Sequence, residues 1–470
     1  MRLYAGDNFR LFSSLGNMVY AKGDIHQAFT ILSFKPLIVK GPKVISQRGN
    51  FYSKLTKFLK KKAKELGFLT NTISIVFTNA EYIKEVKDGK KEEIIKLSNN
   101  SEIYIITPNL LLDTNTLKPI EPLEFYYNNK RINNATILDF INLVFGLANL
   151  EENEEGYKIT YNESLFYNYD SYDIKLINKT YSLIRLSFAS PLGHLLIVGE
   201  PGLGKSITLQ ILNSLGPLIA SKMTIPQLTF DLRNNQPGLF RNEFLFIDEI
   251  IKHFRSSDPE TRQVYLSTIS GVVARGDLKL ESKTSILAVD TIDNIPPIAK
   301  DDDLFSAIRQ LLDRFFIVHM TEAPIILDIA KNYNFTFLKF MISLKYTSEK
   351  LYNKFRHLTS YIVKHFKEFN MPLTYRKADQ ILKFIITSYI LYQLDHINVA
   401  HIPFENYFLA LLYIITKMTK DTQNINLQQK FIGPIFELNH KARALFDYEG
   451  IINFKEKLEN SKEDEEGDIL

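Results

Sequence analysis

The residues best suited to chemistry lie in two short stretches. Gly199-Glu200-Pro201-Gly202-Leu203-Gly204-Lys205-Ser206 fits the pattern G-x-x-x-x-G-K-[ST]. Glycines at these spacings let the backbone turn several N–H groups toward one anion. The helix expected from Ile207 onward adds the partial positive charge of its N-terminus. In such a loop Lys205 is expected to reach the β- and γ-phosphates of a nucleotide, and Ser206 to hold Mg²⁺. The second stretch, Phe244-Leu245-Phe246-Ile247-Asp248-Glu249, is an apolar strand ending in two carboxylates. Asp248 is expected in the metal's shell. Glu249 is expected to polarise an attacking water, because hydrolysis needs a base near the γ-phosphate. A glycine-rich turn that carries Lys-Ser by accident, or a strand that merely ends in acids, is the plainer alternative for each stretch. Their succession, with an apolar strand before the loop and a helix after it, favours one site for ATP and Mg²⁺.

Positioning these groups requires a strand at 194–199 (HLLIVG) and a helix just beyond the loop. From there to about 320 strands alternate with helices, the pattern of an α/β parallel sheet. An amphipathic helix at about 174–189 precedes it, so the core is placed at 174–325. The signal over 326–424 is helical, a lid; 425–454 is read as a small helical segment or part of a winged helix, and 455–470 as an acidic disordered tail. Residues 1–150 read as a mixed α/β domain with its linker, with strands at 72–79 and 102–111. Its predicted helix over 53–66 carries Lys54, Lys57, Lys60, Lys61, Lys62 and Lys64, either a solvated face or a phosphate-contacting patch. Asn- and acid-rich segments at 113–135 and 151–173 read as loops.

Composition narrows the class. A chain of 470 residues, 45% hydrophobic and 23% charged, supports two or three folded domains. The balance of 57 basic and 53 acidic residues leaves +4, so any basic surface has to be local. Without cysteine there is no disulfide and no cysteine-ligated zinc. The start lacks a signal-peptide pattern, and the apolar stretches at 381–394 and 407–416 are too short for a bilayer. A soluble cytoplasmic protein with no membrane partner is expected. The nine scattered histidines show no metal-ligand spacing, which leaves Mg²⁺ with nucleotide as the expected metal.

At this point the chain resembles the AAA+ ATPases, and within them the MCM replicative helicases, over about 190–420. GEPGLGKS (199–206) is similar to the MCM phosphate loop, and GLFRNEFLFIDEIIK (238–252) to its Walker B stretch, with Lys252 where that family has a lysine. TSILAVDT (284–291) resembles the strand leading to the first sensor, LLDRFF (311–316) the arginine-finger motif, and YRKADQILKF (375–384) the lid helix with the second-sensor arginine. The resemblance implies a P-loop AAA+ core and a homo-oligomeric, hexameric ring. Within it Arg314 is the finger and Arg376 the second sensor, both reaching a neighbour's site, where a positioned guanidinium stabilises the charge spread over the γ-phosphoryl oxygens. It also implies an ATPase and helicase acting on single- or double-stranded DNA, in the replication of a virus or mobile element. Three features depart from the family. Thr291 stands where the first-sensor asparagine is expected, with Asp290 beside it as the alternative; 216–238 is too short for a long DNA-gripping insertion; and the zinc module is missing.

VVARGDLKLESK (272–283) can form two short strands around Arg275-Gly276-Asp277. It sits where MCM-type proteins carry a hairpin that points into the ring's channel. Arg275, helped by Lys279 or Lys283, would there track the phosphate backbone without reading sequence. An exposed hairpin with ordinary surface charges is the other reading. Two further functions stay open: a protein-remodelling ATPase, and a DNA-binding clamp similar to the Lon-like AAA+ proteins of phage exclusion.

Overall fold

The structure is a computed structural model. It describes residues 3–5, 9–11, 74–87, 90–106, 110–120, 125–127, 130–133, 135, 148–161, 191–212, 218–221, 224–231, 236–237, 244–275, 278–281, 284–295, 303–321, 335–371, 373–395, 402–421 and 435–438. The expected helices at 53–66 and 174–189 and the acidic tail lie outside the described residues.

The N-terminal part contributes strands β1 (Leu3–Ala5), β2 (Phe9–Leu11), β3 (Ser74–Lys87), β4 (Lys90–Ile106), β5 (Phe125–Tyr127), β6 (Lys130–Ile132), β7 (Ala148–Asn153) and β8 (Gly156–Tyr161). Six of them form one sheet in the order β1-β2-β5-β6-β8-β7, while β3 and β4 pair with each other. Several of these strands correct the expectation of loops. β5 and β6 fall within 113–135, and the second half of β7 and all of β8 within 151–173. The short strands foreseen at 72–79 and 102–111 are the two ends of one long hairpin, with Leu111 and Leu112 beyond it in a tight turn. The missed cue is Asp88-Gly89: Lys87 pairs with Lys90, so this dipeptide alone connects the strands, and Asp-Gly is a favoured two-residue hairpin turn.

The core sheet is built from β9 (His194–Gly199), β10 (Leu218–Ile219), β13 (Phe244–Ile247), β16 (Ser285–Thr291), β17 (Phe316–Met320) and β18 (Ile435–Leu438). Its order is β10-β13-β16-β9-β17-β18, and every neighbouring pair is parallel. Two small antiparallel pairs flank it, β11 (Phe230–Asp231) with β12 (Gln236–Pro237) and β14 (Val272–Arg275) with β15 (Leu278–Glu281). A parallel strand covered on both faces has no solvated side, which is why HLLIV and FLFI read as unbroken apolar runs. Leu195 to Val198 are fully buried, as are Leu245 and Ile247. Each such side chain contributes roughly 1.5–3 kcal/mol through its removal from water. The covering helices are α1 (Lys205–Leu212), α2 (Ile225–Leu228), α3 (Ile250–Ser256), α4 (Pro259–Ile269) and α5 (Asp303–Leu312). Ile250, Ile251, Phe254, Tyr265, Leu266, Ile308 and Leu311 fill the cluster beneath them.

β18 corrects the helical reading of 425–454. Ile435-Phe436-Glu437-Leu438 returns from beyond the helical region to pair with β17, which would otherwise leave its backbone groups on an open edge. Between β17 and β18 stand α6 (Phe335–Phe355), α7 (Leu358–Glu368), α8 (Tyr375–Asp395) and α9 (Phe404–Asp421). α8 is the central one, in contact with α6, α7, α9 and β17. Phe316 of β17 stacks on Phe384 of α8 at 4.7 Å between ring centres. The 110–120 turn docks on α6, where Leu111 N–H donates to the buried Thr347 hydroxyl at 2.9 Å and Lys354 donates to the Thr114 carbonyl at 2.7 Å. Among the described residues no helix is long and apolar enough to cross a membrane.

Candidate functional site

The C-terminal ends of β9, β13 and β16 lie side by side, because Gly199 is opposite Thr291 and Ile247 opposite Ala288 in the ladder. From β9 the chain runs through Glu200, Pro201, Gly202, Leu203 and Gly204 into α1, whose first residues are Lys205, Ser206 and Ile207. The loop's glycines are needed for different reasons. A Cβ on Gly199 would lie 2.4 Å from the Met320 carbonyl of β17, so that strand's close approach excludes a side chain. Gly202 and Gly204 have φ of 82° and 78°, a backbone region that other residues adopt at a cost. Together they bring the backbone round onto the first turn of α1.

Lys205 is buried and its ammonium is held by its own loop. Nζ donates to the carbonyls of Gly199 at 3.0 Å and Glu200 at 2.5 Å. Burial lowers its pKa, and the charges of Asp290, Glu200 and Asp248 partly oppose that. A buried ammonium bonded to two neutral carbonyls fits an anion that would replace them. The Ser206 hydroxyl donates to Asp248 Oδ1 at 3.2 Å. A hydroxyl and a carboxylate oxygen at this separation are hard oxygen donors of the kind Mg²⁺ takes, so the pair fits that ion.

Glu249 departs from ordinary backbone. It has φ 49° and ψ 45°, left-handed for a residue with a side chain, and sits at the N-cap of α3 without capping it. Such a conformation costs on the order of 1–3 kcal/mol and persists where packing on both sides dictates it. Here the buried β13 ends two residues before it and the buried Ile250-Ile251 pair begins immediately after. The Glu249 carboxylate pairs with Lys252 Nζ at 2.6 Å, both groups being open to solvent. That bond raises the pKa of Lys252.

The cap that α3 needs comes from another strand. Asp290, 1% exposed at the end of β16, accepts from the backbone N–H of Ile251 and Lys252, from Thr291 N–H at 2.7 Å, and from Asn294 Nδ2 at 2.6 Å. Burial raises its pKa against the lowering effect of these donors, with the Asn294 bond the largest of them. Asp290 is therefore occupied as a brace between β16 and α3. Thr291 is more open and lies next to Gly199 in the ladder. The brace went unrecognised in the sequence, although an acid closing an apolar strand next to the Asp248-Glu249 strand was its signal.

The expected residues Arg314 and Arg376 stand at the opposite end of the sheet, where β17 begins. Arg314 immediately precedes Phe315 and β17, is 8% exposed, and donates from Nε to the Ser270 hydroxyl at 2.9 Å and from a terminal nitrogen to the Gln310 carbonyl. Arg376, in the first turn of α8, is exposed and close enough that its charge adds to the effect of burial in lowering the pKa of Arg314 to about 10. The two arginines thus share a region, far along the strands from Lys205. Lys377, unnoticed in the sequence, is 1% exposed and donates to the carbonyls of Leu312 at 3.1 Å and Phe315 at 2.5 Å. Thr374 donates to Asp313 at 2.6 Å, and Gln380 accepts from His194 N–H at 3.0 Å. Arg275 closes β14 opposite Leu278, and Lys279 faces Ala274, so the two basic residues are not cross-strand partners.

No family model and no curated protein matches the chain.

Proposed function

We propose that the chain is an ATP-hydrolysing AAA+ motor of the MCM-like kind, working as a hexameric ring on DNA. The observation that carries the ATPase part is the convergence of Lys205, the Ser206–Asp248 pair and Glu249 at the ends of neighbouring parallel strands. The strand order supports the AAA+ part, since β16 lies between β9 and β13 and brings Asp290 and Thr291 between the phosphate loop and the acidic pair.

Phosphate oxygens take the place of the Gly199 and Glu200 carbonyls on Lys205, and the N-terminus of α1 faces them. Ser206 and Asp248 would hold Mg²⁺, whose charge offsets that of the β- and γ-phosphates. Glu249 turns from Lys252 to a water and takes its proton as the water oxygen attacks the γ-phosphorus. The bond from that phosphorus to the bridging oxygen breaks, giving ADP and phosphate. Arg314 and Arg376 serve the neighbouring copy's γ-phosphoryl group, a role supported by their shared region at the end of the sheet away from Lys205. The β14–β15 hairpin contacts the DNA backbone through Arg275, with Lys279 contributing charge.

The test is ATP turnover with and without single-stranded DNA, at low and moderate salt, for the wild type and Arg275→Ala. DNA should raise wild-type turnover, less so as salt increases, and the ratio of stimulated to basal rate should fall toward one in the variant. Robust turnover that ignores DNA in both proteins would keep the ATPase and transfer the search to polypeptide substrates.

A further inference from the structure

To act on a neighbour's nucleotide, Arg314 has to leave the place it occupies here. Its guanidinium is folded into its own subunit and bound to two neutral acceptors, the Ser270 hydroxyl and the Gln310 carbonyl. The Ser270 hydroxyl gives its own proton to the Leu266 carbonyl at 2.8 Å, so it meets Arg314 purely as an acceptor. Burial, then the charge of Arg376, works against the cation, and Asp313 offsets this in part. A guanidinium so placed is more stable against an anion, where its bonds become charge-assisted.

Ser270 is also the C-cap of α4 and the last residue before Gly271, whose φ of 88° turns the chain into β14. The acceptor that holds Arg314 is therefore at the root of the hairpin proposed to touch DNA. The same helix end is tied to β9, since the half-buried His194 ring bonds the Ile269 carbonyl at 2.9 Å through Nε2 and accepts from Ile286 N–H at 3.3 Å through Nδ1. Burial and the nearby Lys383 hold that ring neutral, with a pKa of about 3, which fixes Nε2 as the donor. With α4 anchored at Ile269, the Ser270-Gly271 step is the link between anchor and hairpin, its two N–H groups bonded back to the Leu266 and Thr268 carbonyls.

We propose that Ser270 is a latch that stows Arg314 and joins it to the hairpin, so that release of the arginine to a neighbour's nucleotide and movement of the hairpin on its polymer occur together. The latch rests on the role in trans proposed for Arg314. It makes Ser270 a positioning residue that touches no nucleotide itself.

Four full-length variants test it: Ser270→Ala, Ser270→Asp, Arg314→Ala and the double variant Ser270→Ala/Arg314→Ala. ATP turnover is read with and without single-stranded DNA, and melting temperature checks folding. Ser270→Ala should raise DNA-independent turnover several-fold and bring the stimulation ratio toward one. Ser270→Asp, which holds the guanidinium with a carboxylate, should lower turnover several-fold. The double variant should match Arg314→Ala. Opposite signs for Ala and Asp are not expected of a residue that merely caps α4, so shifts in the same direction overturn the latch. Wild-type behaviour in both Ser270 variants, with Arg314→Ala impaired, also overturns it and leaves the arginine's role standing. Wild-type turnover in Arg314→Ala removes that role and the latch with it.

Discussion

The two ends of the core sheet hold charge in opposite ways. At the C-terminal ends of the strands Lys205 is bound by carbonyls of its own loop, and Glu249 by an exposed lysine. A ligand can displace these partners. At the N-terminal ends the cations Arg314 and Lys377 are buried against backbone carbonyls and a hydroxyl. The parallel arrangement explains the contrast. Helices that follow parallel strands start at the strands' C-terminal ends, where their unpaired N–H groups favour anions, and they finish at the other end, where unpaired carbonyls favour cations. α1 and α3 begin beside the proposed nucleotide, while α4 and α5 end beside Arg314 and Lys377. One sheet therefore has an end whose helix starts favour anions and an end whose helix finishes favour cations. In a ring, the second end of one copy can complete the first end of the next.

Substitutions at the two ends should separate accordingly. The largest effect is expected from Arg314→Ala, a loss of turnover on the order of 10³-fold with nucleotide affinity little changed, read by steady-state rates and a fluorescent nucleotide. Glu249→Gln should cost at least ~10²-fold in turnover while nucleotide still binds, because the base is lost and the phosphate contacts remain. Lys205→Ala should lose affinity as well as rate. An Arg314→Ala that weakened nucleotide binding as Lys205→Ala does would erase the distinction between the ends.

Lys377 sharpens the comparison through pH. Burial, partly offset by Asp313, lowers its pKa from 10.5 to about 7. The unfolded chain therefore holds a proton there that the folded chain lacks between those values. Its contribution to stability is present above 10.5 and is lost as pH falls to about 7, so over that window stability rises with pH by up to ~1.4 kcal/mol per unit. Lys377→Met should flatten that rise relative to wild type in urea titrations at pH 7 and 9, and take the lysine donor from the Phe315 carbonyl at roughly 1–3 kcal/mol, while the Leu312 carbonyl keeps the Phe315 N–H. An identical pH slope in both proteins would count against a buried, weakly protonated amine. The smallest effect is expected at Lys252→Ala, a rise of a few-fold in DNA-independent turnover as Glu249 is freed from its ion pair. A drop would mean that Lys252 assists the reaction.

The two ends were unequally legible in the sequence. The C-terminal end announces itself because the proposed phosphate loop is contiguous: Gly199 to Ser206 carry their spacing in eight consecutive letters. Even there, the Asp290 brace was missed, since a carboxylate's cap to α3 joins residues that are neighbours only across β13 and β16. At the N-terminal end the partners are distant in sequence, Arg314 with Ser270 and Lys377 with Leu312 and Phe315, and single-residue types carry no pairing information. The parallel core followed from strands alternating with helices up to about 320, whereas β18 did not, because four residues following the long helices have too little pattern to separate strand from helix. The N-terminal strands resemble loops in part because β7 ends in Glu151-Glu152-Asn153 at its hairpin turn, polar residues that suit an exposed strand as well as a linker.

The claim that one end of the sheet completes the other across copies can be tested by mixing two inactive chains, Lys205→Ala and Arg314→Ala, in equal amounts and measuring ATP turnover. In the mixture some nucleotide sites pair an intact Lys205 from one chain with an intact Arg314 from the other, so turnover should rise well above the sum of the separate variants. A mixture no faster than that sum would mean that both residues serve the same chain's nucleotide, and the division of the sheet into a binding end and a presenting end would fail.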